Sequence, residues 1–100
     1  MKSRYKVVWT DHALDELRQT VSYIEENFSE LEIRRLADKI ESTLELIATQ
    51  PAMFPESPSR KGVRRAIILR FNSIFYRVKH RQIEILSFFS NRQDPNKLKI

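Results

Sequence analysis

Apolar positions recur with helical spacing in the first half of the chain and with strand spacing in the second. Leu14, Leu17, Val21, Ile24 and Phe28 fall at intervals of 3, 4, 3 and 4 residues, one stripe on a helix of about 11–27. Thr10 stands at its N-cap, and Asp11 behind it suits the positive end of the helix dipole. Asn27, which tolerates the left-handed conformation, can close it. Ser29-Glu30-Leu31-Glu32 is a capping-box sequence, opening a second helix. Ile33, Leu36, Ala37, Ile40, Leu44 and Ile47 keep its period to about Thr49, and Pro51 stops it. A connection of two or three residues makes the two helices an antiparallel hairpin. Neither is apolar all round, so both stripes need a common partner.

That partner is a set of short β-rich segments. Arg4 to Trp9 begins with polar/apolar alternation and reads as a strand. Gln50 to Gly62 holds Pro51, Pro55, Pro58 and the single glycine of the chain, a loop. Val63–Leu69, Ser73–Lys79 and Gln82–Phe88 follow, with gaps short enough for hairpins. In the middle strand Ile74, Tyr76 and Val78 share one face, suited to the helices, and Phe75, Arg77 and Lys79 share the other, facing solvent. With Leu17, Val21, Ile40 and Leu44 the first of these faces is expected to form one core. The expected fold is α+β in the order β-α-α-β-β-β, a helical hairpin on one face of an antiparallel sheet, and 100 residues fit a single domain.

Charge changes this picture by dividing the chain. Residues 1–56 carry 7 Lys/Arg against 11 Asp/Glu, a net of −4; residues 57–100 carry 11 against 2, a net of +9. A block so one-sided suits an anionic partner, either a nucleic acid or an acidic protein segment. The candidate binding residues are Arg60, Lys61, Arg64, Arg65, Arg77 and Lys79, with Arg92 in the polar tail. With no cysteine, disulfides and thiolate metal sites are excluded, and a reducing, cytoplasmic setting is expected. Apolar runs are too short for a membrane helix, which needs about 20 residues.

Chemistry is harder to find. One glycine rules out a phosphate-binding glycine loop. His12 and His80 lie in different elements without ligand spacing, so neither metal nor cofactor is expected. The acid pairs Asp15/Glu16, Glu25/Glu26 and Glu30/Glu32 read as solvated helix surface. Ser73, Ser87 and Ser90 have no recognisable base beside them. No catalytic set is assigned, and binding through Arg, Lys and Tyr on the sheet is the favoured mode.

The element order, Trp9-Thr10 closing the first strand, Val21-Ser22-Tyr23-Ile24, Phe75-Tyr76-Arg77-Val78, Ile83-Glu84-Ile85-Leu86 and Asn91-Arg92-Gln93-Asp94-Pro95 together resemble the RelE/ParE toxin superfamily over essentially the whole chain. The pattern is closer to its ParE-type branch. The resemblance implies the toxin of a type II toxin–antitoxin system, neutralised by a cognate antitoxin whose C-terminal segment wraps around it. ParE-type members inhibit DNA gyrase; RelE-type members cut mRNA in the ribosomal A site. The ribonuclease branch commonly carries an arginine three residues before the strand tyrosine, where this chain has Ser73, and a histidine or lysine after the last strand, where it has Ser90. The leading expectation is therefore a ParE-like toxin acting by binding. The alternatives are a RelE-like mRNA endonuclease with a substituted site, and a non-toxic interaction domain that keeps the fold.

Overall fold

Two helices form where the stripes place them. In the computed structural model, which describes residues 4–91 and 97–98, α1 spans Asp11–Asn27 and α2 spans Glu30–Thr49. The Thr10 hydroxyl accepts from the Ala13 N–H at 3.2 Å, capping α1. The far end of α1 closes differently from expectation. Phe28 is the C-cap in an extended conformation, and Asn27 acts through its side chain, whose Nδ2 donates to the Tyr23 carbonyl. At the start of α2 the Glu32 carboxylate accepts from both the N–H and the hydroxyl of Ser29. The Ser29 side chain is the main reason the Glu32 carboxyl titrates below its ordinary value.

The strands are β1 (Lys6–Trp9), β2 (Arg64–Ile68), β3 (Asn72–Lys79) and β4 (Gln82–Ser90), in the spatial order β1-β4-β3-β2. The two hairpins force β2, β3 and β4 into antiparallel pairing. β1 pairs with β4 in parallel, Val7 opposite Ile83 and Trp9 opposite Ile85, so the sheet is mixed rather than wholly antiparallel. No tight turn connects β1 to β4; both helices intervene, and nothing local constrains their relative direction.

The core lies between the helices and one sheet face. Ala13, Leu36, Ile47, Ala66, Ile68, Ile74, Tyr76, Ile83, Ile85 and Phe88 are buried there, with Leu17, Val21, Ile24, Ile40 and Leu44 packed against them. Val78 departs from expectation at 41% exposed. β2 begins at Arg64, opposite Tyr76, so beyond Tyr76 the third strand has a neighbour on only one side. Phe75 departs the other way. It is buried on the opposite sheet face with Val63 and Phe89, against Leu86 and Leu98, in T-shaped contact with Phe89.

A β-bulge explains how β4 serves both clusters. Tyr76 pairs with Ile85 but Phe75 pairs with Ser87, leaving Leu86 as the extra residue. The alternation shifts by one there, so Ile83, Ile85 and Phe88 all reach the helix side although their spacing is not uniformly even. The bulge is tied down by α1. Glu16 Oε1 accepts from the Ser87 hydroxyl at 2.6 Å and from the Phe88 N–H at 3.1 Å, and His12 Nε2 lies 3.1 Å from the same oxygen. The expectation that Glu16 is merely solvated is therefore wrong: it satisfies buried donors that the interrupted ladder frees.

Candidate functional site

The strand tyrosine and the serine before it are the first places to look for chemistry, and both are committed to structure. Tyr76 is fully buried, its ring edge-on to Phe54, and its hydroxyl donates to the Pro51 carbonyl at 2.7 Å. Burial pushes the phenol up to about 12, against a weaker downward pull from the Arg64 charge. Such a group stays protonated at neutral pH and pins the loop after α2. Ser73 is equally buried; its hydroxyl accepts from Arg65 Nε at 3.0 Å and donates to Asn91 Oδ1 at 2.9 Å.

The predicted basic residues divide by the pleat of the sheet. Arg65, Arg77 and Lys79 lie on the face away from the helices. Arg65 is half-buried, held between Ser73 and the Phe75 ring at 5.9 Å from its centroid. Arg77 pairs with Glu84 at 2.7 Å, and Lys79 is exposed. Arg64 points to the helix side, where its Nη1 donates to the Phe54 and Ala52 carbonyls at 2.5 and 3.3 Å. It buttresses the loop and does not join the others. Arg60 and Lys61 are exposed on the turn before β2, and Arg92 lies outside the described residues. Register adds a residue that sequence reasoning missed: Lys6 of β1 and Lys79 of β3 both stand opposite Gln82, forming one basic row across the sheet. The only sequence signal was its place in the alternation of the first strand, which carries no information about its neighbours.

A second surface was not anticipated. α1, the start of α2 and the β2–β3 turn enclose an open groove of about 630 Å³, with Phe88 and Ser90 of β4 also lining it. Tyr23, Phe28, Leu69 and Phe71 line it and remain exposed. Phe28, counted in the α1 stripe, thus serves the groove instead of the core; Tyr23 and Phe28 rest against each other with ring centroids 6.1 Å apart. Arg35 lowers the charge cost of nearby Glu32, and Arg70 lies over the Phe71 ring at 5.9 Å. An apolar concavity of this size with a few charges at its rim can receive part of another chain.

The family model described as ParE toxin of the type II toxin–antitoxin system, parDE, matches residues 7–95. No curated protein matches. Among solved structures, a chain from the chromosomal ParDE toxin–antitoxin system of P. aeruginosa matches with a TM-score of 0.72 and 19% identity, covering 87% of this chain and 96% of that one. At that identity the structural match shows a shared fold.

Proposed function

On the premise that this chain belongs to the ParE toxin family of type II toxin–antitoxin systems, we propose that it is a toxin that acts by binding its target and is neutralised by a cognate antitoxin seated in the apolar groove. The observation that carries the reading is the groove itself, in which Tyr23, Phe28, Leu69 and Phe71 stay exposed beside a complete core. Exposed aromatic residues in a concavity are what a partner segment buries on binding. The basic sheet face, with Lys6, Arg65, Arg77 and Lys79, is left for the target, for which the family suggests DNA gyrase.

Binding rather than bond cleavage is favoured by how the polar side chains are used. Tyr76 is buried, neutral and tied to Pro51, and Ser73 and Arg65 hold each other. RNA cleavage needs an acid or base placed at the scissile phosphate. The endonuclease reading would rest on Arg65, whose guanidinium sits at Ser73, the position where ribonuclease relatives carry an arginine. Two assays side by side test the proposal: gyrase supercoiling, and in vitro translation followed by primer extension on the message. Inhibited supercoiling with intact mRNA is expected. Message cut at ribosome-occupied codons would overturn binding-only action. Harmless expression without the partner would leave only an interaction domain.

A further inference from the structure

The turn between β2 and β3 sets a backbone preference against the side chain that occupies it. Leu69 has φ of 51°, in the left-handed region where Cβ crowds the backbone and where Gly or Asn sits more easily. The fold gains little from a leucine there, because Leu69 is 46% exposed, as is Phe71 two residues on. Arg70 between them is exposed, lies over the Phe71 ring, and forms no ion pair among the described residues. All three line the groove across from Tyr23 and Phe28. A sparsely populated conformation kept for an exposed apolar side chain points to a contact made with something else.

We propose that Leu69, Arg70 and Phe71 form the recognition turn of the groove. Leu69 and Phe71 clamp apolar residues of the antitoxin segment, Arg70 takes one of its carboxylates, and together they decide which antitoxin the chain accepts. The inference rests on the reading of the groove as the antitoxin seat. Charge sets the identity of the occupant. Glu16 already has the Ser87 and Phe88 donors with His12 at 3.1 Å, and Glu32 has Ser29 with Arg35 nearby, whereas Arg70 has no acidic partner among the described residues. A covering segment without an acid would desolvate that guanidinium unpaired and be rejected. A second copy of this chain, docked symmetrically by the same turn, would set Arg70 against Arg70.

The test uses the full chain and a synthetic peptide of the C-terminal segment encoded by the neighbouring reading frame, the antitoxin candidate. Binding is followed by calorimetry and folding by thermal melting. Leu69→Asn is expected to melt at or above the parent temperature while binding about tenfold or more weakly, as for a central interface residue. Arg70→Gln is expected to melt like the parent and bind weakly, and most of its deficit should vanish against a peptide whose carboxylates are replaced by amides. Parent-like binding by either variant overturns the recognition turn, as does a lowered melting temperature for Leu69→Asn, which would make the leucine structural. Failure of the parent itself to bind the peptide removes the antitoxin reading, and the turn's role with it. A parent dimer in sedimentation that Leu69→Asn dissociates assigns the groove to a second copy and also overturns the proposal.

Discussion

Removing one oxygen from Tyr76 separates a structural tyrosine from a chemical one. Tyr76→Phe keeps the ring in its buried seat against Phe54 and deletes only the hydroxyl that donates to the Pro51 carbonyl at 2.7 Å. At pH 7 the cost is a lost hydrogen bond plus a carbonyl left unpaired at the end of α2, about 1–2 kcal/mol. The pH dependence follows from the phenol being pushed up to about 12 from its ordinary 10 in the folded chain. Below pH 10 both folded and unfolded chains hold the proton, and the parent keeps its full advantage. Between pH 10 and 12 the unfolded chain releases the proton first, so the parent loses stability, up to about 3 kcal/mol at 1.36 kcal/mol per pH unit. Since that loss exceeds the neutral-pH advantage, the parent and Tyr76→Phe stability curves should converge and cross near pH 11. Urea denaturation of both proteins from pH 7 to 11 measures the difference and cancels titrations they share. A constant offset across that range would refute the burial argument. Loss of toxicity from a Tyr76→Phe protein that folds and still binds its partner would refute the structural assignment.

The other predictions use the same geometry. Glu16→Ala should lose about 2–4 kcal/mol in chemical denaturation, because the Ser87 hydroxyl and the Phe88 N–H are then left unpaired in the core; Glu16→Gln, which keeps an acceptor, should lose less. Leu17→Ala and Leu44→Ala should each lose about 2 kcal/mol, near the low end for core truncation because both are only partly buried. In the toxicity assay Arg65→Ala, Arg77→Ala and Arg92→Ala should give graded losses rather than abolition, with Arg65, the half-buried one, exceeding Arg77, which is exposed and paired to Glu84. His12→Ala and His80→Ala should be nearly silent there. The on-rate for an acidic partner should fall as salt rises, and a flat profile would remove the electrostatic part of the binding model.

What the sequence determined by itself was most of what depends on residues a few positions apart, the closure of α1 at Phe28 excepted. The 3- and 4-residue intervals of Leu14, Leu17, Val21 and Ile24, the caps at Thr10 and Ser29, the Pro51 stop and the short hairpin gaps place both helices and all four strands within a residue or two. Local spacing suffices there because helix period, capping bonds and tight turns are local interactions. The family was legible for a related reason: its motifs are short strings in a fixed order. The site was less legible. Which side of the sheet holds Arg64 rather than Arg65 depends on where β3 pairs with β2, and a one-residue difference reverses it. The bulge at Leu86 breaks the alternation on which the face assignments of β4 relied. The row that joins Lys6 to Lys79 spans residues more than 70 positions apart and exists only because β1 lies parallel to β4. The groove is built from α1, α2 and the β2–β3 turn, so Phe28 looked like core and Leu69 like the end of a strand until packing separated them. Surfaces of this kind arise where elements distant in sequence meet, and no local pattern records which apolar residues the meeting leaves uncovered.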